Sequence, residues 1–195
     1  MLRTNDFFIS YIERLYSNQS SKDIVLKKYP KMTRVYNQDQ ACFRVTIIKS
    51  GFVKCFYSED NDKEFIFEFL SYGEILGDIE AIKSIKCLCN VEAVSDIEVY
   101  TFPISFFMSL IEKDAEFRDA ILLELVDRLI NTSHRASFQK AYSSKYGLLR
   151  LMNMQQKQNL NLSKSDMASY LGIDIRSLNR TLEQIKKDNI NAAFL

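Results

Sequence analysis

Short alternating segments punctuated by glycine fill residues 42–102, and helical periodicity replaces them after Pro103. That change of period constrains the 195-residue chain more than any other feature. Strands and helices segregated along a sequence do not interleave as a parallel sheet, so the fold class is α+β. Residues 42–49 and 52–57 flank a Ser50-Gly51 turn. The polar run 58–63 reads as a hairpin loop before a third strand at 63–70. A loop at 71–78 and a short helical piece at 79–84 come next. Strands at 91–94 and 97–102 complete the series. Glycine at the turns and even spacing predict an antiparallel roll or sandwich, jelly-roll-like in outline. Upstream, 5–28 reads as one or two short helices with Phe8, Ile9, Ile12 and Leu15 on one stripe, broken by Pro30.

The helical half begins with Pro103, suited to a first turn, and a helix over 104–111. Asp114 then caps a helix expected over about 115–140, roughly 40 Å long at 1.5 Å per residue. Phe117, Ile121 and Val126 are expected to face the strands. Leu122, Leu125, Leu129, Thr132 and Ala136 recur at 3-4-3-4 spacing, the pattern of a coiled-coil seam. A second apolar stripe on one helix calls for a partner, and a second copy supplies it. The alternative is a helix buried on both faces within one chain.

Residues 145–154 form a further amphipathic helix and 155–161 a polar loop. In 162–187 two short helices meet at a turn. Ser163 is the N-cap of the first, with Asp166 at capping-box spacing. Met167, Ala168 and Leu171 share a face, and Gly172 supplies the left-handed stop. Asp174 caps the second helix, which turns Leu178, Leu182 and Ile185 inward and Arg176, Asn179, Arg180, Gln184 and Lys187 outward. The plain reading is an αα-hairpin. The spacing Ala168…Gly172…Leu178 and the outward Arg and Asn favour a helix-turn-helix, because those side chains pair with base edges.

Composition narrows the function. Hydrophobic residues make up 47% of the chain, enough for real cores, yet no run approaches the ~20 needed to span a bilayer. The N-terminus lacks a signal-peptide core, so a soluble, cytoplasmic protein with no membrane partner is expected. A net charge of +1 conceals an asymmetry, because residues 140–195 hold nine basic and four acidic side chains. Basic charge thus gathers around the paired helices, as contact with a phosphate backbone requires. Four cysteines and the single His134 show no metal-ligand spacing, so no metal site is expected. Cys42 and Cys55 read as small buried hydrophobes. Cys87 and Cys89 read either as inert thiols or as a redox pair on one strand face. No nucleophile–base pairing or phosphate loop suggests an enzyme.

Four stretches, in their order and spacing, resemble the Crp/Fnr family of bacterial transcription regulators. They are Ile48-x-x-Gly51-Phe-Val-Lys54, Gly73-Glu74-Ile-Leu-Gly77-Asp78, Asp127-Arg128-Leu129, and residues 162–185. The resemblance spans nearly the whole chain. It implies a cyclic-nucleotide-binding-like β-roll sensor at 1–112, a dimerisation helix at 113–142 and a DNA-binding domain at 143–195. It further implies a homodimer on a palindromic operator in double-stranded DNA, with RNA polymerase as a further partner. By position, Ile175, Arg176, Asn179 and Arg180 would face bases, and Ser163, Ser165 and Ser177 phosphates. Ile175 departs from the polar or basic residue common there and suits a thymine methyl.

The same resemblance outlines an effector pocket of Gly73, Glu74, Gly77, Asp78, Lys86, Thr132 and Ser133. Glu74 matches the position that takes the ribose hydroxyl, and Thr132 and Ser133 those that meet the purine. The arginine that grips the cyclic phosphate has no counterpart in Ile85-Lys86-Cys87-Leu88-Cys89, where Lys86 lacks the planar fork. Asp78 is expected to add an uncompensated negative charge. Cyclic AMP is therefore disfavoured, and the expected effector is another small molecule or none. No cysteine precedes Cys42 to hold an iron–sulfur cluster, and the sequence offers no haem site. Where the family has a β-hairpin wing the sequence reads only 189–195, so the wing is expected to be absent or shortened. A ligand-sensing or interaction protein without DNA binding is the alternative function.

Overall fold

Residues 4–18, 22–59 and 63–188 are described by a computed structural model. Among them, eight strands form two four-stranded antiparallel sheets. In the first, β1 (Val25–Tyr29), β8 (Ile97–Pro103), β3 (Arg44–Ser50) and β6 (Ile75–Leu76) lie in that order. The second runs β2 (Arg34–Tyr36), β7 (Asn90–Ala93), β4 (Val53–Ser58) and β5 (Glu64–Leu70). Ile48, Leu76, Ile97 and Val99 of the first sheet meet Val53, Cys55, Leu70 and Val91 of the second in a core between them.

Helices cover the outer faces. Against the first sheet pack α1 (Asp6–Ser17), α3 (Ile104–Lys113) and the first half of α4 (Ala115–Ala141), through Phe8, Ile12, Phe107, Phe117 and Ile121. Against the second lie α5 (Ser144–Gln158), α6 (Lys164–Leu171) and α7 (Ile175–Lys187), whose Leu148, Met167 and Leu178 share a core with Phe56, Ile66 and Phe69. The short α2 (Asp78–Lys83) follows β6. Covering both faces explains why residues 45–48 and 53–56 are buried without interruption. Period two persists beneath that run. Val45 and Ile47 face the helices while Ile48 faces the other sheet.

Several sequence expectations give way. Residues 25–29 form β1 rather than helix, because all five pair with β8 from Val25↔Thr101 to Tyr29↔Ile97. That pairing with a strand some 70 residues distant outweighs the local helical pattern. The loop expected at 71–78 contains β6, which pairs Ile47 with Ile75. Helix α5 continues to Gln158 and stops at Asn159 with φ 50, so half of the expected 155–161 loop is helical. Cys87 and Cys89 precede β7 instead of lying in a strand. Part of the 58–63 loop, and the wing expected to be missing at 189–195, fall outside the described residues.

The long helix starts where the sequence places it. Asp114 accepts from the Phe117 amide at 3.1 Å and from the Tyr11 hydroxyl at 2.7 Å, joining α1 to α4. Phe117 and Ile121 are buried as expected, but Val126 is 44% exposed and faces away from the sheets. Its place is taken by Leu125, half-buried against the α1–α3 core. On the opposite side, Lys54 of β4 bridges Asp166 of α6 at 2.7 Å and Glu92 of β7 at 3.0 Å.

The Tyr11 hydroxyl and the Phe117 amide hold the Asp114 carboxyl below the usual aspartate range. Its ionised form stabilises the fold above that range, and the contribution is lost as pH falls through the depressed value. Asp114→Asn should therefore flatten the decline of thermal midpoint between about pH 4 and pH 2. An unaltered decline would place the acid sensitivity elsewhere.

Candidate functional site

The paired helices close as their caps dictate. Ser163 Oγ accepts from the Asp166 amide at 3.0 Å and donates to its carboxylate at 2.7 Å. Gly172 sits at φ 65 and ends α6, where a Cβ would meet nothing, so conformation alone favours glycine there. Asp174 accepts from the Ser177 amide at 2.8 Å and from its hydroxyl at 2.9 Å, starting α7. The α7 amide and Ser177 hydroxyl hold the Asp174 carboxyl below its usual range. Leu178 and Ile185 are buried and Leu182 half-buried, as their spacing predicts.

The opposite face of α7 is open. Arg176 and Arg180, one turn apart, are exposed and make no ion pair among the described residues. Ile175 beside them is 49% exposed. Asn179 accepts from Lys164 Nζ of α6 at 2.9 Å, a neighbour that sequence reasoning did not single out. Ser163 and Ser165 are exposed, but the Ser163 and Ser177 hydroxyls are each committed to a cap.

The Gly73–Asp78 loop forms a different kind of site from the one the resemblance suggests. Glu74 and Asp78 are buried, and Arg128 of α4 reaches between them. Arg128 donates to both Asp78 oxygens at 3.0 and 2.8 Å, to the Ile75 carbonyl at 2.8 Å and to Glu124 at 3.0 Å. Glu74 lies 3.9 Å away. Burial works against the guanidinium's charge, but Asp78, Glu124 and Glu74 outweigh it and raise its pKa. The charge expected to be uncompensated at Asp78 is thus neutralised from within. Lys86, Thr132 and Ser133 are exposed, with Thr132 one turn beyond Arg128 on α4. A charge at Arg128 within an apolar helix pattern was the signal that a buried partner existed.

Along α4, Leu122 is 61% and Leu129 70% exposed, and Thr132 and Ala136 are also exposed. With Val126 they leave an uncovered apolar stripe, while Leu125 packs inward. All four cysteines are free thiols, and Cys42, expected to be buried, is only half-buried because it lies in the loop before β3. Burial pushes the Cys87 thiol up to about 12, with Cys42 beside it. A hydrogen bond with Cys89, then burial, raises Cys55. Such thiols resist becoming thiolates. Among the described residues no cluster of three metal-ligating side chains occurs, and no helix is long and apolar enough to cross a membrane.

Residues 26–114 match the family model described as the cyclic nucleotide-binding domain. The CRP-like protein Clp of Xanthomonas oryzae pv. oryzae is 21% identical over 184 residues, covering 84% of this chain and 78% of its own. A structure of the regulator CLP from Xanthomonas campestris, described as c-di-GMP responsive, superposes with a TM-score of 0.77 at 19% identity over 93% of each chain. A Crp/Fnr-family transcriptional regulator from Eubacterium rectale, described as putative, gives 0.75 at 15% identity, covering 92% of this chain and 84% of its own. The sheets and their flanking helices therefore define a cyclic nucleotide-binding-type domain joined to a helix-turn-helix. Residues 26–114 belong to the cyclic nucleotide-binding domain family, and the chain as a whole is similar to Crp/Fnr regulators.

Arg128→Met should cost about 3–5 kcal/mol in denaturant unfolding, because it strands the Asp78 carboxylate inside. Adding Asp78→Asn should recover part of that loss. An equal loss in the single and double variants would mean that the arginine acts through packing alone.

Proposed function

We propose that the protein is a homodimeric, sequence-specific DNA-binding transcription regulator acting in the cytoplasm rather than an enzyme. The observation that carries this reading is the open face of α7, where Arg176 and Arg180 project from a capped helix-turn-helix with no ion-pair partner among the described residues. Arg180 and Arg176 reach base edges, with Asn179 and Ile175 beside them, while Ser165 meets phosphate. Lys164 joins the phosphate contacts. The sensor portion spans 1–112, the dimer helix 113–142 and the DNA-binding portion 143–195. RNA polymerase is a further partner of the DNA-bound dimer.

Two copies meet along the α4 stripe of Leu122, Val126 and Leu129, continued by Thr132 and Ala136, with Leu125 at its inner edge. This pairing buries apolar side chains that one chain leaves in water. Each dimer then addresses two half-sites about one helical turn apart. The effector, if the protein uses one in the cradle of Gly73, Glu74, Gly77 and Asp78, is not cyclic AMP. Arg128 already fills the cradle, and Lys86 is the one cation in residues 85–89, where the cyclic phosphate would need an arginine.

Gel-shift titration against inverted-repeat DNA from the protein's own upstream region, at several salt concentrations, tests the reading. Leu129→Glu should give monomers in sedimentation and lose operator binding together. Arg180→Ala should cost about 1–3 kcal/mol and relax preference at one base pair. Equal weakening on every sequence would assign Arg180 to phosphate, and absence of salt-sensitive binding by the native protein would end the DNA-binding reading. Cyclic AMP should leave the thermal midpoint unchanged.

A further inference from the structure

A cavity of about 700 Å³ opens where β5, the C-terminal half of α4, α5 and α6 meet. None of the 73–78 cradle lines it, and its size suits a small organic ligand. On one side Phe69 of β5 and Tyr170 of α6 lie with ring centroids 5.2 Å apart. On the other, the Arg150 guanidinium of α5 sits 4.7 Å from the Phe138 ring centroid of α4. Burial is the main cause that raises the Tyr170 pKa, so its hydroxyl stays neutral. The carboxylate in the wall, Glu68, is bound to Arg135 at 2.9 Å. That pair cancels, and Arg150 has no carboxylate partner among the described residues.

We propose that this cavity binds a small organic anion with a flat aromatic body, its rings against Phe69, Tyr170 and Phe138 and its acid group on Arg150. Aromatic walls reward a planar ligand, and a surplus guanidinium in a half-enclosed space selects an acid over a neutral analogue. The ligand touches a strand of the sensor, the long helix and the first helix of the helix-turn-helix at once. Its occupancy therefore fixes the angle at which α6 and α7 leave the sheet.

Fluorescence titration of the full chain with anilinonaphthalene sulfonate tests the site without DNA, so the outcome is independent of operator binding. Saturable binding of one probe per chain is expected, displaced by naphthalene sulfonate and not by naphthalene methanol. Arg150→Gln, on an exposed side chain, should weaken it by about tenfold or more. Arg118→Gln and Leu129→Glu should leave it intact, the latter excluding the α4 stripe as the binding surface. Unchanged affinity in Arg150→Gln, equal displacement by the neutral alcohol, or loss of binding in Leu129→Glu would each overturn the proposal. Circular dichroism of each variant checks that the fold is retained.

Discussion

One guanidinium decides which way the long helix faces. Arg128 is committed to Asp78 and the Ile75 carbonyl, and these contacts fix the rotation of α4 over the first sheet, with Glu124 of the same helix sharing the guanidinium. Successive helical residues differ by about 100°, so turning α4 by one position would pull the charge away from Asp78 and the Ile75 carbonyl. Phe117, Ile121 and Leu125 consequently point inward, and Leu122, Val126 and Leu129 point out. The uncovered stripe thus follows from an ion cluster on the opposite face. Asn5 adds to this anchorage, donating to Glu124 at 2.8 Å while capping α1.

What the sequence revealed follows the range of the interaction responsible. Caps act over three residues, and Asp114, Ser163 and Asp174 all lie where their spacing indicates. Gly172 is legible for the same reason, since a helix stop is a local conformational demand. Strand β1 was missed because its partner lies across the sheet. Lys54 and Asp166 are likewise separated by 112 positions. The seam shows a subtler limit. Heptad spacing admits either Leu125 or Val126 between Leu122 and Leu129. The pattern alone cannot choose between them, whereas the inward Arg128 does. An ionisable residue inside an apolar run, such as Lys54 between Val53 and Cys55, is the clue that such a distant partner exists.

The cradle shows how a recognisable loop can be given over to the protein's own packing. A Cβ at Gly73 would collide with the Asn5 backbone, and one at Gly77 would come within 2.7 Å of the Arg44 carbonyl. Both glycines are therefore required by neighbours already present, without appeal to a bound molecule. The acids of the loop are likewise engaged by α4. The wall between sheet and α6 differs, because its aromatic rings and Arg150 surround open volume.

Lys54 has a consequence for how the two halves can part. Its ammonium sits almost out of reach of water, between one carboxylate from the sheet and one from α6. A small displacement of α6 would lengthen the contact with Asp166 before solvent could enter to replace it. Separation is opposed twice over, because it strands the ammonium first and then exposes the core that Phe56, Ile66 and Phe69 share with Leu148, Met167 and Leu178. The helical half is thus latched to the sheet by a shared ammonium as well as by a shared apolar core.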